Sequence, residues 1–213
     1  MEKNIVILSK SRKHKNYCVA GKDIQTGEWV RLISENSEIH NAIESKDLIY
    51  DNDEEADLLD IVRVTLKDMS EKYKNTYQPE NYILDNIRYL GQLKEYDLNK
   101  LVENIDTIFF NQYNRISSED LMHINDVNSL LMIKVPILKV NIKDCENRRL
   151  IANIKYNQIW YNGLTITDMK FTEKYYDEIL DSNGKNFYNI KIVVSLGERY
   201  YDYHYKLIAT VFD

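Results

Sequence analysis

The chain reads as a series of short apolar or alternating runs separated by turn residues, which predicts strands more than helices. Asn4–Leu8 ends in four consecutive apolar residues and predicts a buried first strand. Asn16–Gly21 predicts a second strand, ending in a glycine that permits a bend, and Gln25-Thr26-Gly27 a tight turn. Glu28–Ile33 is the third strand, with Trp29 and Arg31 on one side and Val30 and Leu32 on the other. Leu59–Leu66 is β-branched and half apolar, a fourth strand, and Gln78–Leu84 adds an extended piece whose start Pro79 restrains.

The period then changes. Leu98, Leu101, Val102, Ile105, Ile108 and Phe109 recur at helical spacing with Asp97 as N-cap, and Ser117 with Asp120 fits a capping box for a second short helix. These helices either connect two β-rich halves or belong to one α+β domain. Strands return at Leu130–Val135, which Pro136 interrupts before Ile137–Ile142, and at Arg149–Lys155. Asn162-Gly163 inside Ile159–Ile166 predicts a two-residue hairpin turn, with one of Trp160 and Tyr161 facing the core and the other the surface. A helix over Thr172–Leu180 and strands at Phe187–Leu196 and His204–Phe212 complete the chain. The fold class is therefore mostly β with some helix: two tandem OB-like β-barrels, over 1–96 and 129–213, joined by a helical connector over 97–128.

With 213 residues, 44% hydrophobic and 29% charged, the chain has the balance of a globular protein with its own core. No apolar run approaches the ~20 residues needed to span a bilayer, so no membrane is expected, and localisation is expected to be cytoplasmic. Cys18 and Cys145 form no CxxC pair, and His14, His40, His123 and His204 are scattered, so nothing in the spacing proposes a metal. Cys18 reads as a small buried hydrophobe. No phosphate-cradling glycine motif and no nucleophile elbow is present, and no cofactor is expected.

The net charge of −6 opposes coating of nucleic acid by bulk electrostatics, but the charges are unevenly placed. Residues 9–31 hold six basic side chains against two acidic ones, and residues 35–60 hold ten acidic ones against Lys46 alone. The acidic stretch reads as a solvated loop, a shield over the basic segment, or a cation site.

Several blocks resemble the dual OB-fold family: Ser9-Lys10-Ser11-Arg12-Lys13, Tyr17-Cys18-Val19-Ala20-Gly21-Lys22-Asp23, and Thr26-Gly27-Glu28-Trp29-Val30-Arg31-Leu32-Ile33-Ser34. Asp60–Val64, Gln78–Tyr82, Val194–Leu196 and Tyr205–Ala209 follow in the family's order. The resemblance covers nearly the whole chain. It implies two OB folds in a prokaryotic protein that recognises nucleic acid within a defence or conflict system, and it does not imply an enzyme.

OB barrels bind single strands by pairing a basic groove with aromatic faces on which bases stack. Trp29 and Arg31, two residues apart on one strand face, fit that use, with Arg12, Lys13 and Lys22 beside them; Trp29 equally fits a core aromatic with Arg31 snorkelling at the rim. Tyr201, Tyr203 and Lys206 are a second candidate patch. There Tyr201, Tyr203 and Tyr205 share a face if the stretch is extended, as a stacking platform, a protein interface or a half-buried core edge. The expected function is a non-catalytic module binding single-stranded or structured nucleic acid. The alternative is a protein-interaction or regulatory module with a protein partner on its tyrosine-rich edge. A third reading is an enzyme or nucleotide sensor with a metal in the acidic segment.

Overall fold

The computed structural model describes residues 1–13, 15–67, 77–124 and 128–213, so His14 and residues 125–127 of the expected connector lie outside the described residues. The chain divides into two compact units, Met1–Leu101 and Val102–Asp213.

The first unit is a closed barrel of β1 (Glu2–Lys13), β2 (Asn16–Asp23), β3 (Trp29–Ile33), β4 (Asp60–Lys67) and β5 (Asn81–Gln92), in the order β1-β2-β3-β5-β4. All neighbours are antiparallel except β3 and β5, which are parallel. Alternation sets the interior: Val62, Val64 and Leu66 of β4 are buried, while Arg63 points out and donates to Asn4 Oδ1 at 3.1 Å. β1 serves two neighbours, β4 through Glu2–Val6 and β2 through Ile5–Lys13, so it must bend where it passes between them. The bend is a bulge at Leu8, since Ile7 faces Gly21 and Ser9 faces Ala20. A Cβ on Gly21 would lie 2.1 Å from the Val6 carbonyl oxygen, so the bend requires glycine there. A Gly21→Ala variant is expected to lose about 1–3 kcal/mol in urea unfolding, the cost of overpacking against backbone; an unchanged midpoint would show that β1 can move away.

The acidic stretch folds as the connection between β3 and β4. Its apolar residues Ile43, Leu48, Tyr50 and Ala56 join the barrel core. Most of its carboxylates stay outside: Glu35 accepts Lys67 at 2.7 Å and Glu55 pairs with Lys10 at 3.2 Å. Asp60 is the buried one, accepting from the Tyr50 hydroxyl at 2.9 Å and the Asp57 amide at 2.8 Å. No group of three or more metal-ligating side chains occurs among the described residues. The stretch is a barrel plug with a solvated acidic exterior.

The long helical period over 98–109 does not produce a helix. A 3-10 stretch over Glu95–Leu101 closes the first unit, and the chain then runs without helix or strand to a 3-10 turn at Ile108–Phe110, with Phe109 and Phe110 at φ 44° and 67°. Tertiary partners take the amides a helix would have used. The Glu103 amide donates to the Met132 carbonyl at 2.7 Å, Ile105 to the Tyr156 hydroxyl at 3.0 Å, and Ile108 to the Tyr161 hydroxyl at 3.1 Å. β6 (Arg115–Ser117) and α1 (Ser118–Met122) follow, α1 capped by Ser117 Oγ accepting the Asp120 amide at 3.0 Å, as the capping box predicts. The helical connector is thus minor.

The second unit repeats the first unit's topology with β7 (Leu130–Asp144), β8 (Arg149–Tyr156), β9 (Ile159–Ile166), β10 (Lys185–Tyr200) and β11 (Tyr203–Phe212). The order is β7-β8-β9-β11-β10, closed by β10 against β7, with β9 and β11 parallel. α2 (Met169–Asp181) fills the connection between the third and fourth strands. Asp168 caps it, one oxygen accepting the Phe171 amide at 3.0 Å and the other the Val211 amide at 2.9 Å, which ties the helix to β11. β6 is an addition, pairing with β11 along the edge that β9 uses further on.

Pro136 lies inside β7, where the burial alternation changes phase: Lys134 and Pro136 are exposed before it, Lys139, Asn141 and Lys143 after it. The expected hairpin at Asn162-Gly163 is displaced. The β8–β9 turn is Asn157-Gln158, at φ 45° and 65°, and Asn162-Gly163 lies inside β9 opposite a register shift. Gly163, at φ 78°, donates its amide to Asn153 Oδ1 at 2.9 Å, so the glycine serves a bulge where its positive φ is equally needed.

Candidate nucleic-acid interface

The structure brings Lys22, Trp29 and Arg31 together, but inside the protein. β2 and β3 set Lys22 opposite Trp29, with the ammonium 5.2 Å from the ring centroid and donating to the Leu101 carbonyl at 3.0 Å. Arg31 Nε and Nη2 lie 3.4 and 3.3 Å from Glu80 Oε1, and Nη1 lies 3.2 Å from Cys18 Sγ. Each of the three residues is only 5% exposed. Both faces of β3 are therefore covered: Val30 and Leu32 fill the barrel, and Trp29 and Arg31 are sealed on its other side. Of the two readings of Trp29, the core aromatic matches this placement, and Arg31 is a buried ion-pair partner instead of a snorkelling rim residue. Cys18, read as a buried hydrophobe, is half-buried and accepts from that guanidinium. Arg12 is exposed opposite Tyr17, about 16 Å along β2 from Lys22, and Lys13 donates to the His40 carbonyl at 2.5 Å. The five residues do not form one surface.

The second candidate patch divides in the same way. Lys206 is 1% exposed, and its ammonium donates to the Ile108 carbonyl at 2.6 Å, the Asn111 carbonyl at 2.7 Å and Asn111 Oδ1 at 2.9 Å. Burial pulls its pKa down to about 7. It fastens the 108–111 segment and offers nothing to solvent. The tyrosine stretch is a hairpin, not a continuous strand: Tyr201 turns at φ 54°, 80% exposed, and Tyr200 pairs with Tyr203. Tyr203 and Tyr205 do share a face, and Arg115 of β6 lies over it, 4.1 Å from the Tyr203 centroid.

A surface absent from the sequence reading is the outer face of β7, β8 and β9. Alternation turns Lys134, Lys139 and Lys143 of β7 and Arg149 and Lys155 of β8 away from the core, and the only acid in the three strands is Asp144, at the end of β7. Trp160 stands among them, 36% exposed, opposite Lys155 in register and 4.8 Å from the Lys139 ammonium. Its neighbour Tyr161 is fully buried, so the expected division of the pair between surface and core is met. Tyr188 on β10, 61% exposed, faces Ile137 of β7, which itself faces Lys155. One row across four strands thus runs Tyr188, Ile137, Lys155, Trp160, spanning about 14 Å at the usual strand spacing. Beside it a cavity of about 330 Å³ is lined by Lys134, Pro136, Ile137, Lys155, Tyr156, Asn157 and Gln158. The signal was present in the sequence: residues 134–155 hold six basic side chains against Asp144 and Glu146, the same excess as 9–31.

A five-stranded barrel in this order, with a parallel pair between its third and fifth strands, is the Greek-key barrel of the OB fold, and the chain carries two. The model of the dual OB-containing domain matches residues 3–211. The chain belongs to that family. No curated protein matches it. OB folds commonly bind oligonucleotides on the face of their second and third strands, which in the second unit are β8 and β9. Among the described residues no helix is long and apolar enough to cross a membrane.

Proposed function

We propose that this protein is a nucleic-acid-binding module without chemistry of its own, and that it holds its ligand on the outer face of β7, β8 and β9. The observation that carries this reading is the union, on that face, of five lysine and arginine side chains with an exposed tryptophan and no acid except the terminal Asp144. The net charge of −6 is a sum over the whole chain, and ten of its acidic residues fall within 35–60, outside the strands that build this face. The family resemblance is what supports action in a prokaryotic defence or conflict system.

The test is fluorescence anisotropy of labelled DNA and RNA single strands of about 20 nucleotides at about 50 and 200 mM salt. Neutralising four or five phosphates of a single strand predicts binding weaker by on the order of 50–100-fold at the higher salt. A Lys139→Ala/Lys155→Ala variant is expected to bind at least about tenfold more weakly while melting like wild type. Wild-type protein that binds neither strand at the lower salt contradicts the proposal. That outcome favours the alternative, a protein-interaction module using the exposed Tyr200 and Tyr201, 63% and 80% exposed.

A further inference from the structure

β6 is no part of the five-stranded barrel, and what it adds to the surface is Arg115. The guanidinium lies over a tyrosine pair: its carbon is 4.1 Å from the Tyr203 centroid and 5.9 Å from that of Tyr205, and Nη1 donates to the Tyr205 hydroxyl at 3.2 Å. Arg115 is exposed, and among the described residues no carboxylate lies within ion-pair distance of it. The nearby acids are engaged elsewhere, Asp202 with Arg199 at 3.0 Å and Asp120 with Ser117 Oγ at 2.6 Å. Tyr200 widens the aromatic cluster through edge-on contacts, its ring centroid 6.4 Å from that of Tyr205 and 4.7 Å from that of Tyr201. A planar cation held on an aromatic ring with no partner acid matches the face of an unpaired base and the charge of its phosphate.

This cluster continues the face of β7–β9. Asn114, the residue before Arg115, donates its side-chain amide to the Gly163 carbonyl of β9 at 3.4 Å and accepts the Lys206 amide of β11 at 2.8 Å. Thr165 of β9 faces Leu207 of β11 directly, two residues beyond Tyr205. The outward side is thus unbroken from Trp160 through Gly163 and Asn114 to Arg115 and the tyrosines.

We infer that Arg115, with Tyr200, Tyr203 and Tyr205, is a second base-stacking station, and that the ligand is a single strand running from Trp160 to the β10–β11 hairpin. The inference rests on the proposed function and narrows it. A duplex hides its base faces, so two aromatic stations select an unpaired strand. Two stations also require length: a strand long enough for one gains nothing from the other.

The test titrates labelled oligo(dT) and oligo(U) of about 4, 8 and 16 nucleotides, and a mixed-sequence duplex of about 16 base pairs, against wild type, Arg115→Lys and Tyr200→Ala. Arg115→Lys keeps the charge and loses the planar guanidinium; Tyr200 is exposed, so its loss leaves the core intact. The 16-mer is expected to bind wild type at least tenfold more tightly than the 4-mer, and each variant to weaken the 16-mer by at least about fivefold with the 4-mer unchanged. Variants equal to wild type on the 16-mer, or a duplex bound as tightly as the single strand, overturn the second station while binding sensitive to Lys139 and Lys155 keeps the first. No binding of any strand by wild type overturns both.

Discussion

An Arg31→Ala variant is expected to lose about 3–5 kcal/mol of stability and, if it folds, to bind oligonucleotides as wild type does. The loss follows from what the guanidinium leaves behind. Glu80 has a side chain only 2% exposed, and Arg31, 7% exposed at its side chain, lies 3.3 Å from it. Removing the cation leaves a buried carboxylate deprived of that partner, which costs more than the pair contributes when intact. Arg31→Lys is not conservative here, because one ammonium cannot reach both Glu80 and Cys18 as the fork does. Adding Glu80→Gln to Arg31→Ala should recover part of the loss, since an amide needs no counter-charge. Urea unfolding of the single and double variants checks this. A stable Arg31→Ala that no longer binds would return Arg31 to the interface.

The second large effect is pH dependence through Lys206. In the unfolded chain a lysine holds its proton to about pH 10.4. In the folded protein burial brings Lys206 down to about 7. Between these values the unfolded state binds more protons, so raising the pH favours the folded state, by at most about 1.4 kcal/mol per unit. Below pH 7 both states are protonated and this group contributes no slope. The three carbonyl oxygens around the ammonium favour its charged form and work against burial, so a gain of about 2 kcal/mol between pH 7 and 9 is the upper expectation. Above pH 10 the trend reverses, because burial and the bond to Asp60 raise the Tyr50 pKa and the unfolded chain then releases protons first. Lys206→Met should flatten the rise and lower stability throughout, as Ile108 and Asn111 lose their donor. Unfolding midpoints across pH 6–9 decide it, and a slope retained in the methionine variant assigns the effect to another group.

Much of the fold was legible because strand order in a barrel follows local alternation and turn residues. The four apolar residues of β1, the Ser117 cap and the two late strands fall where the pattern puts them, whereas β2 runs past Gly21 to Asp23 and the bend lies in β1. What failed was periodicity without partners. Residues 98–109 have helical spacing, yet their amides bond to Met132, Tyr156 and Tyr161, contacts separated by tens of residues that no local pattern encodes. Asn162-Gly163 signals a positive φ, which a bulge uses as well as a hairpin does. The burial of Trp29 and Arg31 escapes the local pattern for a related reason. Trp29 and Arg31 have the composition of a binding face, but whether a strand's second face is open depends on what packs over it, and here Arg31 pairs with Glu80, a residue far along the chain. The lysines of β7 and β8 alternate with core residues and carry a plainer signal, a basic row with almost no acid, hidden by the acidic total.

The central claim, that nucleic acid is held on the outer face of the second barrel, is tested most directly by the chain's own fluorescence. It has two tryptophans, Trp29 at 5% exposure and Trp160 at 36%. Titrating oligo(dT) of about 20 nucleotides should quench part of the emission saturably, as a base stacks on Trp160. The quench should vanish in Trp160→Phe and persist in Trp29→Phe. Emission that stays constant at saturating oligonucleotide, or a quench that follows Trp29 instead, contradicts the account.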